Sequence, residues 1–340
     1  MEFWRKTSNG KIKFNSKDAA INFTKYIKDA LEQNKKVWLP FNLHPDLIDY
    51  IQEYEVEWGL IVRVLEGIKK AGKYAMSKKE QVRLEAIEAN GQKGKWADYF
   101  TEVDTRNETI IKETLRKEFS PELLQILGEE YGTTGDEDAE YEIDIDPIDG
   151  TNAYKHWFDG RSIMIWVGKG KKQFASFVYF PEKENQPLLY YIKDKGIFIT
   201  YTDTWETKKI TTIKNVEDKS NLLVKIRKHT TTEESSIFIN PIENILRKNN
   251  FQIHNTKWPG EDALEAVEMW RAMIIDGDFH RVDFIPLPLL ISLWYKIYDR
   301  EGNEQDSNNP SALARRQLVI VPPWKAWRDV LDHITNICKK

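Results

Sequence analysis

The apolar residues between Trp58 and Ala75 recur every three or four positions, which is the spacing of one face of an α-helix. Residues 104–118 repeat this spacing, and a similar stretch begins at Ser16, a favourable N-cap, and ends near Leu31. We therefore expect three amphipathic helices in the first third of the chain.

The middle of the chain changes to short runs of β-branched and aromatic residues that are separated by Gly, Pro, Asp and Lys. Such runs occupy residues 141–145, 162–167, 174–180, 188–192 and 196–201. They predict a largely antiparallel sheet whose strands are joined by hairpins.

Beyond residue 221 the two kinds of pattern alternate. They predict strands at 221–226, 272–275 and 317–321, helices at 236–248, 261–271 and 324–337, and a helix-length apolar run after Val282. This arrangement indicates mixed α+β or α/β layering without a linker between independent domains.

Composition narrows the possible partners. The formal net charge of −4 gives no basic excess of the kind that nucleic-acid polymers attract. The single Cys338 excludes an intrachain disulfide and suits a reducing compartment. The longest apolar run, residues 284–295, is too short to span a bilayer, and residues 1–14 lack the apolar core of a signal peptide. We expect a cytoplasmic protein that binds neither nucleic acid polymers nor membranes.

The densest chemistry lies where Asp144, Asp146 and Asp149 follow an apolar run and precede Gly150. Crowded carboxylates at the end of a strand repel one another unless a cation compensates them, and oxygen ligands suit Mg²⁺, Mn²⁺ or Ca²⁺. A helix that opens at Gly150 would add backbone N–H groups for a phosphate. An EF-hand fits poorly, because the third acid comes one residue late and the twelfth position is Lys155 instead of Glu.

The segment Asp146-Pro147-Ile148-Asp149-Gly150-Thr151 resembles the D-P-[IL]-D-G-T signature of the inositol monophosphatase family of Mg²⁺-dependent sugar and nucleotide phosphatases. Companion segments follow the family's order: residues 98–108 resemble its D-x-[VF]-T-x-x-D-x-x-x-E segment, residues 128–130 its G-E-E turn, residues 178–181 its V-Y-x-P strand end, residues 196–198 its G-A-F hairpin, and Asp283 the acid of its W-D pair. The resemblance extends over about residues 57–337.

The resemblance implies a role for each matching residue. The metal ligands would be Glu129, Asp146, the carbonyl of Ile148, Asp149 and Asp283, holding two or three Mg²⁺ ions, with Mn²⁺ as a possible substitute. Asp104, Thr151 and Glu129 would form the catalytic group, in which Asp104 and Thr151 orient and deprotonate the attacking water. Gly150, Thr151 and Lys93 would bind the phosphate, with Lys95 as an alternative to Lys93.

Two segments depart from the family's pattern. Residues 282–288 keep Asp283 but replace the family's Trp and small residues by bulky residues and two prolines, which alter the first helical turn. Residues 258–263 stand where the family has a G-[ST]-A loop that touches the alcohol part of the substrate. The expected substrate-binding residues are Gly260, Glu261, Asp262 and Asp276. The first two of these acids would also suit the start of a helix, and Asp276 a simple turn.

The fold implied by the resemblance is an α+β, or α/β, layered structure: the five-layer αβαβα sandwich of the inositol monophosphatase and fructose bisphosphatase type. Residues 1–55 would form a helical extension and residues 56–340 the phosphatase domain. The implied activity is Mg²⁺-dependent hydrolysis of a small sugar, inositol or nucleotide phosphomonoester by activated water. Alternatives are a bisphosphate substrate, such as fructose bisphosphate or phosphoadenosine phosphate, and an inactive regulatory protein that binds metal. The family's habit of dimerising implies a homodimer.

Overall fold

Four helices lie within the part of the chain that the computed structural model describes. That part comprises residues 55–89, 102–149, 161–170, 172–204, 206–210, 223–227, 233–248, 252–256, 260, 264, 272–276, 285–292, 295–299, 303–305 and 318–321. Helix α1 spans Glu55–Ala89, α2 spans Glu102–Arg116, α3 spans Glu233–Lys248 and α4 spans Leu287–Ser292.

The strands form two sheets, each contained in one of the two compact units into which the chain divides, Met1–Ile210 and Thr211–Lys340. The first sheet contains β1 (Leu124–Gly128), β2 (Gly132–Thr134), β3 (Tyr141–Asp149), β4 (Ser162–Lys169), β5 (Lys172–Tyr179), β6 (Pro187–Ile192), β7 (Gly196–Tyr201) and β8 (Glu206–Ile210). The second contains β9 (Leu223–Arg227), β10 (Gln252–Thr256), β11 (Ala272–Asp276), β12 (Lys296–Asp299) and β13 (Leu318–Val321).

The first sheet has the strand order β2-β1-β3-β4-β5-β6-β7-β8 among the described residues. From β3 to β8 each strand pairs antiparallel with the next, as hairpin connections require. Strand β1 instead runs parallel to β3, with Gly128 opposite Ile145. These two strands therefore end at the same edge of the sheet.

Helices α1 and α2 cover one face of this sheet. The apolar stripe of α1, with Trp58, Ile61 and Leu65 almost inaccessible to solvent, packs in the same core as Ile145 of β3 and Phe177 of β5. Helix α2 carries acids in its first turn and Arg116 in its last, which suits the helix dipole at both ends. The core thus fixes both helices against the strands.

The second sheet has the order β10-β9-β11-β13-β12. Strands β10 and β11 flank β9 in parallel, whereas β13 and β12 are antiparallel to their neighbours. Among the residues described, none of the helices is both long and apolar enough to cross a lipid bilayer.

The structure confirms the helices predicted around residues 58–75, 104–118 and 236–248, and the strands predicted between 141 and 201. In the apolar run after Val282 it describes the short helix α4. Pro286 lies in the turn before this helix and Pro288 in its first turn, where the missing N–H of proline removes no intrahelical hydrogen bond. The pattern missed β1, β2, β8, β10 and β12. The helix expected from Ser16, the extension 1–55 apart from Glu55, and the closing helix 324–337 lie outside the described residues.

Candidate active site

The end of β3 carries the two acids of the signature on one face of the sheet. Asp146 lies opposite Met164 and Asp149 opposite Ser162, so two residues of β3 face one residue of β4 between these pairs. This is a β-bulge, and Pro147, which has no N–H to donate to the ladder, stands within it. Because Met164 and Ser162 are two residues apart and share a face, the bulge brings Asp146 and Asp149 to that same face.

Both carboxylates lie inside the protein. Asp146 is 3% exposed and Asp149 is 4% exposed. The Ser162 hydroxyl donates a hydrogen bond to Oδ2 of Asp149 over 3.1 Å. The strand that pairs with β3 thus helps to orient one of the two acids.

The first turns of α2 dock against the bulge. Asn107, which is fully buried, donates from Nδ2 to the carbonyl oxygen of Pro147 at 3.2 Å. One turn earlier, Val103 packs against Ile148 and against Ala75 of α1. Asp104 stands on α2 between these two contacts and is 1% exposed. The helix therefore brings a third buried carboxylate to the segment that carries Asp146 and Asp149.

The turn after β1 supplies the next acids. Because β1 and β3 are parallel, this turn lies beside β3, and the N–H of Glu129 donates to the carbonyl of Ile145 at 3.3 Å. The side chain of Glu129 is exposed, whereas that of Glu130 is half-buried. Burial, followed by the negative charges of Asp104 and Glu108, raises the pKa of Glu130 to about 7. Glu130 therefore faces the other acids of the site.

The remaining residues predicted for the site are placed only in part. Gly260 is buried and helical, and Asp276 is the last residue of β11 in the second sheet. The others lie outside the described residues: Lys93, Gly150, Thr151, Glu261, Asp262 and Asp283. Within the described part of the chain, no three acids, histidines or cysteines form a group that could enclose a metal ion by themselves.

Sequence reasoning missed three residues that shape this site: Asn107, Glu130 and Ser162. The motif D-x-x-x-E includes the position of Asn107 without fixing its type, and two adjacent acids give no sign of which one faces inward. The signal available for Ser162 was its place at the start of a strand expected to pair with the acidic one.

The chemistry of the described donors fits a hard divalent cation. Asp104, Asp146 and Asp149 are carboxylates with less than 5% exposure, and the burial of several negative charges together is costly unless positive charge accompanies them. Carboxylate and carbonyl oxygens are the ligands that Mg²⁺ and Mn²⁺ prefer.

Solved structures support the fold. The suhB extragenic suppressor protein of Bartonella henselae superimposes with a TM-score of 0.62 at 17% identity, covering 83% of this chain and 98% of that one. This likeness confirms the predicted fold class, an α+β layered fold of the inositol monophosphatase type.

Curated relatives match over shorter stretches. A fructose-1,6-bisphosphatase/inositol-1-monophosphatase of Aquifex aeolicus is 35% identical over 30% of this chain and 36% of its own length. A putative Nus factor SuhB of Neisseria meningitidis is 37% identical over 26% of this chain and 33% of its own. The chain thus spans about a third of each relative.

The family model named inositol monophosphatase family matches residues 61–267, which is more than half of the chain and includes α2, the turn after β1 and the bulge of β3. The chain therefore belongs to the inositol monophosphatase family.

Proposed function

We propose that this protein is a Mg²⁺-dependent phosphomonoesterase that hydrolyses a small sugar, inositol or nucleotide phosphate. The observation that carries the proposal is the set of buried carboxylates, Asp104 on α2 with Asp146 and Asp149 on the bulge of β3, in a chain of this family. Such a set is costly to bury and suits a divalent cation.

In this proposal Asp146, Asp149, the Ile148 carbonyl and Glu129 hold the metal, together with Asp283 by the family motif. Bound Mg²⁺ would supply the Lewis acidity that lowers the pKa of the attacking water and stabilises the leaving oxygen. Asp104 would receive the proton of that water through the Thr151 hydroxyl, and Gly150, Thr151 and Lys93 would bind the phosphate. The products are inorganic phosphate and the free alcohol.

The test is phosphate release from inositol phosphates, fructose bisphosphate and phosphoadenosine phosphate in the presence of Mg²⁺. Asp149→Asn should lower turnover by more than about 100-fold, because even residues that only support a metal ligand are worth about 10- to 100-fold. Asp144→Asn is the matched control, since Asp144 is half-buried in the same strand and stands outside the proposed ligand set. Equal activity of wild type and Asp149→Asn would refute the proposal.

The substrate's alcohol part would meet Gly260, Glu261, Asp262 and Asp276. A bisphosphate is the second candidate, favoured by the Aquifex aeolicus relative, which is a fructose-1,6-bisphosphatase/inositol-1-monophosphatase. Replacing Glu261 and Asp262 by Gln and Asn should change the KM for sugar phosphates more than kcat. An unchanged KM for every substrate would exclude these residues from substrate binding.

A second function is favoured by the Neisseria meningitidis relative, which is named as a Nus factor, and by the altered segment 282–288. This second candidate is a regulatory protein that binds metal and does not hydrolyse phosphate esters. Calorimetric Mg²⁺ binding without phosphate release across the whole panel would support it over the phosphatase.

For the phosphatase we further propose a cytoplasmic homodimer that acts on a small phosphate ester instead of a nucleic acid polymer. Sedimentation analysis tests the dimer.

A further inference from the structure

The Glu108 carboxylate is fully buried and joins α2 to the turn after β1. Its Oε2 accepts the backbone N–H of Glu130 at 2.7 Å, and its Oε1 accepts that of Tyr131 at 3.1 Å. The Lys112 ammonium, one helical turn further along α2, lies 2.6 Å from Oε1. Charge-assisted hydrogen bonds of this kind are the stronger ones, and here two of them hold a backbone segment.

The same lysine also contacts the solvent-exposed side of the turn. Lys112 Nζ also donates to the carbonyl of Gly132 at 3.2 Å and lies 5.7 Å from the centre of the exposed Tyr131 ring. From inside, Gly128 leaves room for the carboxylate, because a methyl group at that position would overlap Glu108. Glu108 and Lys112 thus hold three backbone groups of the turn against one helix: two N–H groups and one carbonyl.

Asp104 stands four residues before Glu108, on the same face of α2. Any movement of the Glu108 contact therefore changes the position of the turn's two acids, Glu129 and Glu130, relative to Asp104. The neighbouring Asn107 fixes the bulge of β3 to the same helical turn. One short stretch of α2 consequently sets the geometry of both acidic segments.

We propose that Glu108, held by Lys112, is a positioning residue that places the Glu129-Glu130 turn for metal binding. This inference rests on the proposed function for the identity of the site. It differs from a purely structural role, because loss of the contact displaces the acids of the turn while the core formed by α1, α2 and the first sheet stays intact.

Two changes disturb the contact by different means. Glu108→Gln keeps the size of the side chain but removes its charge and places an amide N–H group against a backbone donor or Lys112. Gly128→Ala keeps Glu108 but takes the space of its carboxylate. Gly128 does not have positive φ, so this substitution tests space and not backbone conformation. Glu113→Gln is the matched control, as it removes one charge from the exposed face of the same helix, where the side chain is 57% exposed.

The measurement is the affinity of the full chain for Mn²⁺, determined by titration calorimetry. Glu108→Gln and Gly128→Ala should each weaken Mn²⁺ binding by about 10- to 100-fold, as expected for groups that orient metal ligands, and Glu113→Gln should leave it unchanged. If the protein hydrolyses phosphate esters, both variants should need a higher Mg²⁺ concentration for half-maximal rate. The fold-increase in that concentration should be larger than the fold-decrease in kcat at saturating Mg²⁺.

The outcomes separate this inference from the proposed function. Mn²⁺ binding that depends on Glu108 without any hydrolysis would support the positioning role and refute the phosphatase. Hydrolysis with Mn²⁺ affinity equal to wild type in either folded variant would refute the positioning role. Circular dichroism identifies folded variants, and if Glu108→Gln does not fold, Gly128→Ala decides, since there the side chain that must move is flexible.

Discussion

Two glycines of α1 offer a comparison in which one substitution should stabilise the protein and the other should not. Gly67 and Gly72 both lie inside the helix, and neither has positive φ. A Cβ atom at Gly67 would have its nearest neighbours in Ile111, at 3.4 Å and beyond, which is close to ordinary contact. A Cβ atom at Gly72 would lie 2.5 Å from Cε1 of Tyr179 and 3.1 Å from Cβ of Pro181.

The expected free energies follow from these distances. Replacing Gly by Ala inside a helix gains about 1 kcal/mol through helix propensity, and this gain applies equally to both sites. At Gly72 it is opposed by overpacking, which costs about 1 to 3 kcal/mol. Tyr179 cannot move away freely, because its hydroxyl lies 3.2 Å from Oε1 of Gln186. We expect Gly67→Ala to raise the free energy of unfolding by up to about 1 kcal/mol and Gly72→Ala to lower it by up to about 2 kcal/mol.

Urea unfolding followed by circular dichroism measures both changes, and hydrogen exchange in peptides from α1 localises them. A second substitution, Tyr179→Val, removes the colliding ring and should reduce the cost of Gly72→Ala in a double-mutant cycle. Equal shifts of the two alanine variants, in the same direction, would show that the approach of α1 to the end of β5 is not as close as described.

Three further predictions concern groups around the site. Asn107→Ala should lower the free energy of unfolding by about 1 to 3 kcal/mol, because the buried Pro147 carbonyl loses its donor; urea unfolding against the wild type tests this, and an unchanged midpoint would contradict it. Glu182→Ala should lower the free energy of unfolding by about 3 to 5 kcal/mol, since it removes the carboxylate from a buried ion pair with Arg161; a calorimetric melt that matches the wild type would argue against the pair. For Glu130, whose pKa rises from about 4.5 to about 7 on folding, the metal-free protein should lose stability as pH rises through this interval; Glu130→Gln should remove that slope in urea titrations with a chelator, and an identical slope in the variant would refute the assignment.

The sequence predicts those helices and strands whose residue pattern lies within the element itself. In α1 and in α2 apolar residues recur every three or four positions, because each helix has one apolar stripe. The strands from β3 to β7 are rich in β-branched and aromatic residues. Strand β2 could not be predicted, because all three of its residues are exposed and its pairing with β1 comes from the tertiary structure. Strand β8 is the last strand in the described order of the first sheet, and it carries two lysines and lacks an apolar alternation.

The same distinction applies to the candidate site. The motif around Asp146 and Asp149 is a local signal and located two of the buried acids. Which acid of the turn after β1 faces inward depends on the contact of Glu108 with that turn, and the close approach at Gly128 is a contact between distant elements. Neither is visible in a single sequence, because both depend on how α2 docks against the first sheet.

The continuity of the acidic segment has a consequence for synthesis of the chain. Asp104, Glu130, Asp146 and Asp149 all come from one continuous segment, residues 102–149, within the first of the two units. A nascent chain therefore leaves the ribosome with these acids well before Thr211, where the second unit begins. The negative charges of these acids are therefore present on the nascent chain while the second unit is still being translated. A divalent cation that binds at that stage would stabilise the growing chain against the repulsion of its own carboxylates.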